Sequence, residues 1–194
     1  MKRLTAVLFA SILLLAACGS SDSAGSSTKP GDNFNDADIA FAQGMIPHHQ
    51  QAVEMADLAL TRAESPEVTS LAKQIKAAQD PEIETMTAWL KTWGAPLKGD
   101  SDSGMDHMGD ADEAKKGPGM MSASEMTNLE KAKGAAFDTM FLEMMIQHHT
   151  GAITQAKTEQ AKGKNADAKA LAGGIIKAQK AEISTMQGLL DTGN

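Results

Sequence analysis

The sequence predicts an all-α fold, a four-helix bundle made of two tandem helical hairpins. Three observations predict it. The composition favours helix: Ala, Met, Glu, Gln and Lys are abundant, aromatics make up 4% of the chain, and Tyr is absent. The chain repeats itself at an offset of 100 residues, and each copy carries two segments with helical spacing of apolar residues. A long Gly-, Asp-, Ser- and Met-rich stretch separates the copies, as one long crossover in a ferritin-like bundle does.

The elements follow in chain order. Met1, Lys2 and Arg3 give a short positive start, and the run to Ala17 is apolar apart from Thr5 and Ser11. That run is too short to span a bilayer and has the form of a secretory signal. Its end, Leu15-Ala16-Ala17-Cys18, resembles a bacterial lipobox, which implies cleavage after residue 17 and lipidation of Cys18, the sole cysteine. Residues 18–34 are rich in Ser, Gly and Asp and are expected to be a flexible tether. The folded part, residues 35–192, would therefore work outside the cytoplasm, held at the cell membrane by a lipid anchor.

The first copy, about 36–94, opens with Asn35 or Asp36 as N-cap and a helix from about Asp38 to Arg62. Ser65-Pro66-Glu67 then combines a cap, a proline at the first helical position and an acid in the first turn. The second helix runs to about Trp93 and stops at Gly94-Ala95-Pro96. Pro47 and Pro81 fall inside these helices and should kink them or shift their starts. The linker occupies 95–123, and the second copy, about 124–191, begins with a short helix around Ser124 to Lys133. A helix from about Ala135 to Ala161, a break at Gly163-Lys164-Asn165 and a last helix to about Leu190 complete it.

Between Phe41 and Leu90, seventeen identities fall in one gapless register. Phe41, Met45, Ile46, His48, His49, Ala52 and Ala56 recur as Phe141, Met145, Ile146, His148, His149, Ala152 and Ala156. Leu71, Ala72, Ile75, Ala78, Gln79, Glu82, Ile83, Thr85, Met86 and Leu90 recur 100 positions on, among them Gln179, Glu182 and Met186. At about 100° per residue, with Met45 at zero, His48 falls at about −60° and His49 at about +40°, flanking the inward stripe. Glu82 lies on the stripe of the second helix, where a carboxylate must be paired, hydrogen-bonded or bound to a cation.

A methionine stripe alone is ordinary core filler, and a lone histidine is ordinarily a satisfied core or surface residue. The conjunction points elsewhere. Four of the five histidines form the two repeated pairs, each preceded by a Met three residues earlier and each matched by an inward Glu. These are metal-binding residue types. Imidazole suits Cu, Zn, Fe and Ni, whereas thioether selects Cu(I). Met45, Met55, Met140, Met144 and Met145 sit beside the histidines, and Met105, Met108, His107, Met120 and Met121 lie in a polar linker with no core to fill. Copper is the expected ion: Cu(I) through Met and His, Cu(II) through His and carboxylate, with other divalent metals left open. The ligands named are His48, His49, His148 and His149 with Met45 and Met145. Glu82 and Glu182 ligate or orient the rings, followed by Met55, Met86, Met144 and Met186.

Other classes fit less well. The net charge of −7 and the lack of a stacking surface argue against nucleic acid. A ferritin-like diiron oxidase needs Glu-x-x-His, and positions 45 and 145 are Met where that motif needs Glu. With no nucleophile–base–acid order and no phosphate-binding glycine loop, no enzyme is expected. A surface-anchored helical interaction module without metal is the first alternative, and a ferritin-like metal oxidase the second.

The segments Phe41 to Ala56 (FAQGMIPHHQQAVEMA) and Phe137 to Ala156 (FDTMFLEMMIQHHTGAITQA), with Gln179 to Met186, resemble the family called domain of unknown function 305. The resemblance covers about Asn35 to Leu190. It implies a ferritin-like bundle and a secreted or membrane-attached protein linked to copper binding and tolerance. The expected role is to buffer, sequester or hand on copper, with a copper transporter or cuproenzyme as a candidate partner. The second copy departs from the first at Gln155, where the first has Met55, so two equal Met-rich sites are not expected.

Overall fold

The structure is a computed structural model and describes residues 33–97 and 117–193. Among the described residues every regular element is helical: α1 (Asp36–Arg62), α2 (Pro66–Trp93), α3 (Ala123–Lys131), α4 (Ala135–Lys162) and α5 (Ala166–Asp191). The start of α1 is set by Asn35, whose side chain accepts from the N–H groups of Ala37 and Asp38 while Asp38 accepts from the Asn35 N–H in return. Ser65 caps α2 with Pro66 at its first position, and Asn165 caps α5. Gly94, at φ 68°, closes α2 in the left-handed conformation that a side chain would disfavour. Both α1 and α2 continue through Pro47 and Pro81 as helix. The signal segment, tether residues 18–32 with Cys18, and the linker residues Met105, His107 and Met108 lie outside the described residues.

Helices α1 and α4 form the centre of a four-helix bundle. Each packs against the other and against the second helix of its own hairpin, while α2 and α5 touch each other less. Two buried aspartates fix the antiparallel arrangement. Asp38, near the start of α1, accepts from the backbone N–H of Lys164 at 3.1 Å and of Asn165 at 2.9 Å, just beyond the end of α4. Asp138, near the start of α4, accepts from Glu64 at 3.2 Å and Ser65 at 2.8 Å, just beyond the end of α1. The hairpins are thus related by an approximate two-fold.

Phe34 stacks on Trp93 at the end of α2, with ring centroids 4.9 Å apart. The N–H of Ala135, at the start of α4, is taken by Glu64 at the other pole. The end of α2 and the start of α4, which the connection joins, therefore lie at opposite poles of the bundle. The last residues of the connection return against the helices, and Met121 is 2% exposed within the core. For Met121 this corrects the expectation that linker methionines have no core to fill. The polar composition of the linker conceals that its end packs as part of the bundle.

Candidate metal centre

All four repeated histidines are fully buried, an uncommon fate for eight ring nitrogens in an apolar interior. The core falls into two apolar clusters. Met45, Met86, Leu90, Ala152 and Ala156 belong to one, and Met55, Ala52, Met145 and Met186 to the other. Along α1 the His48–His49 pair lies between Met45 of one cluster and Ala52 of the other. Along α4 the His148–His149 pair lies between Met145 and Ala152 in the opposite order. The imidazoles therefore form a polar layer at the boundary between two apolar halves. His48 and His148 meet across it, with ring centroids 3.8 Å apart and planes tilted by 45°.

Each carboxylate serves the histidine of its own hairpin. Glu82 Oε2 lies 2.7 Å from His49 Nε2, and Glu182 Oε2 lies 2.6 Å from His149 Nε2. Glu82 and Glu182 are 22% and 18% exposed, so each bridges the buried ring and the surface. A carboxylate accepts, so in the neutral ring the proton resides on Nε2 and Nδ1 keeps a lone pair. His48 Nε2 donates in the same way to the Pro118 carbonyl at 3.1 Å. His148 has no hydrogen-bond partner on either nitrogen. In total five ring nitrogens of the layer are buried without a partner: Nδ1 of His48, His49 and His149, and both nitrogens of His148.

Electrostatics keep two of these rings neutral. Burial, and then the neighbouring His49 and His149, lower the His48 pKa to about 4 despite the Pro118 hydrogen bond. Burial and the other three rings hold His148 well below the ordinary histidine value. A neutral imidazole with an unshared lone pair is the form that ligates a metal. The carboxylate–histidine arrangement at His49 and His149 is the one that fixes ring orientation and basicity behind a metal ion. The residues present thus fit a soft or borderline cation, although among the described residues no three His, Cys, Asp or Glu side chains stand in a ready-made shell. Any complete shell must draw on thioether sulfur or on small ring movements.

The other named residues divide. Met45, Met55, Met86, Met145 and Met186 are all fully buried in the clusters bordering the layer. Met144 is only half-buried, packed at the edge of the cluster that holds Met55. Gln155 replaces Met55 in the second copy, and its Oε1 approaches Gly44, the counterpart of Met144. The methionine content of the two halves is therefore unequal. Three features escaped sequence reasoning. Asp38 and Asp138 share the repeat register and could have been found by it. Gln79 and Gln179, which the repeat does single out, are buried with unpartnered amide oxygens, and it is this lack of a partner that the sequence does not show. The Pro118 contact had no sequence signal.

Comparison with known proteins places these observations. The profile of the family described as "Domain of unknown function (DUF305)" matches residues 38–190. A candidate secreted DUF305 protein from Streptomyces coelicolor is 34% identical, with 81% of this chain and 92% of that chain covered at a TM-score of 0.71. A DUF305 fragment from Deinococcus radiodurans is 30% identical over 81% of this chain and 97% of that chain, TM-score 0.69. CopM in its Cu(I)-bound form is 31% identical over 80% of this chain and 96% of that chain, TM-score 0.64. CopM has also been solved bound to Cu(II) and to Ag. No curated protein sequence matches this chain.

Proposed function

This chain belongs to the DUF305 family, and from that premise we propose that it is an extracytoplasmic copper-binding protein. Its histidine layer takes copper as cargo, to buffer it, sequester it or pass it on. The observation that carries this reading is the set of five unpartnered, buried ring nitrogens contributed by both copies to one layer. An apolar core that needed only packing would not retain them, because each unpaired buried polar atom destabilises the fold. His48, His49, His148 and His149 are the proposed imidazole ligands, with Met45 and Met145 as soft ligands. Glu82 and Glu182 orient the rings from the surface side. Met55, Met86, Met144 and Met186 supply thioether surroundings that favour Cu(I). CopM, solved with Cu(I), Cu(II) and Ag, supports the choice of ion.

We further propose that Cys18 carries a lipid that holds the protein at the membrane, a reading supported by the lipobox-like Leu15-Ala16-Ala17-Cys18. The protein holds metal rather than turning over a substrate. A metal-free interaction module draws support from the two histidines already hydrogen-bonded to glutamate, but it leaves the other ring nitrogens unexplained. The deciding experiment is titration of purified protein with Cu(I), by competition with a chromophoric chelator, and with Cu(II), by equilibrium dialysis. The comparison is a variant with all four histidines changed to Ala. Copper retained equally by both proteins removes the layer as the site.

A further inference from the structure

The two histidines that meet at the centre of the layer are not equivalent, and the difference comes from the end of the linker. We propose that the returning segment Gly117–Met121 is a positioning element of the metal site. It holds His48 in the Nε2–H tautomer and so presents its Nδ1 lone pair to the ion. This rests on the copper reading above and adds to it a part of the chain that belongs to neither repeat.

The segment is seated by three independent contacts. Pro118 accepts the His48 Nε2 proton at 3.1 Å. Gln51 grips Met121 with a pair of hydrogen bonds, donating to its carbonyl at 3.0 Å and accepting from its N–H at 2.7 Å. Gly119, at φ 80°, lies flat on α4. A Cβ there would stand 2.6 Å from the Gln147 carbonyl oxygen. On the helix side, a Cβ on Gly151 would stand 1.9 Å from the Pro118 oxygen, an impossible approach. Only backbone against backbone fits.

Gln51 and Gly151 are the same position of the repeat. The copies have diverged there in opposite ways, one toward a side chain that holds the segment and the other toward a bare helix surface that admits it. His48 and His148 are equivalent too, yet only His48 has an acceptor for Nε2. A polar partner on the far nitrogen of a ligating histidine fixes its tautomer and direction, and its loss typically weakens metal binding about 10- to 100-fold.

The test compares the wild type with Gly151→Ala and Gln51→Leu, each of which releases the segment from a different side. Gln51→Leu leaves α4 untouched and carries the test if Gly151→Ala does not fold. In metal-free protein with 15N-labelled histidine, NMR should show His48 as the Nε2–H tautomer with a proton slow to exchange. Both variants should lose that protection while the His149 Nε2 proton, held by Glu182, keeps its own. Cu(I) should then bind to both variants about 10- to 100-fold more weakly, with unchanged stoichiometry. Wild-type His48 protonated on Nδ1, or variants that lose the protected proton yet bind Cu(I) as tightly as wild type, would overturn the proposal. A wild type that takes no copper sinks the copper reading itself, and the His48 tautomer still decides separately whether the segment sets the ring.

Discussion

Asp138 accepts the backbone N–H of Ser65 at 2.8 Å, and Asp38, one hundred positions earlier, accepts that of Asn165 at 2.9 Å. Ser65 and Asn165 are themselves the N-caps of α2 and α5. One buried carboxylate at each pole therefore fastens the first helix of one hairpin to the turn of the other. The histidine layer lies midway between these two clasps, and its register depends on them.

Removing a clasp should loosen the bundle without touching the layer. Asp138→Ala leaves the N–H groups of Glu64 and Ser65 without their acceptor, at about 1–3 kcal/mol for each buried donor. A melting temperature lower by roughly 5–15 °C is expected for a domain of this size, and calorimetry of the metal-free protein measures it. Asp138→Asn, which keeps one acceptor oxygen, should recover part of the loss.

The glutamates should matter for metal more than for folding. Glu82→Gln and Glu182→Gln each replace a carboxylate behind a ring by a neutral amide of the same shape. Copper affinity should fall about 10- to 100-fold per site, the usual effect of losing such a partner. Chelator competition reads the affinity, and unchanged far-UV circular dichroism shows that the helices survive.

Thioether ligation can be separated from packing. Met45→Leu with Met145→Leu nearly conserves volume, so the double variant should lose less than about 3 kcal/mol of stability. If the sulfurs ligate, Cu(I) binding weakens by at least tenfold while Cu(II) binding changes little. Equal retention of Cu(I) would make these two residues core filler.

Glu159 gives the fold an alkaline weakness. It is 1% exposed beside Asp38, and burial followed by that neighbouring carboxyl raises its pKa to about 8, against the opposing pull of Lys169. The folded protein thus keeps a proton that the unfolded chain releases near 4.5. The contribution of Glu159 to folding stability should fall as pH rises from about 4.5 to about 8 and then level off. Glu159→Gln should flatten this slope in urea unfolding measured across that range. The first copy has Ala59 there and avoids the effect.

Acid should weaken the metal-free protein by a different group. His48 in the folded state takes its proton only near pH 4, whereas the unfolded chain takes it near 6.5. The unfolded state therefore binds more protons between those values, and stability is lost as pH falls from about 6.5 to about 4. His148 acts in the same direction. In the Glu159→Gln variant, where the opposing slope of Glu159 is removed, denaturant midpoints that stay constant through this window would contradict the burial of uncharged rings.

Much of this was legible in the chain. The caps at Asn35 and Ser65, the stop at Gly94 and the period of the apolar residues are local properties, and the helices follow them. The repeat showed that whatever surrounds His48 and His49 also surrounds His148 and His149, because equal spacing on a helix gives equal faces. That fixed the inward histidines and glutamates and the kind of ion they suit. Contacts between distant segments are not periodic and leave no such trace. Only the folded bundle brought His48 within 3.8 Å of His148, gave each glutamate to the ring of its own hairpin, and seated Pro118 on one histidine but not on its twin. The linker could find room on α4 at Gly151 and a hold on α1 at Gln51 only after the helices had set those two surfaces beside it, so packing decided what local pattern could not.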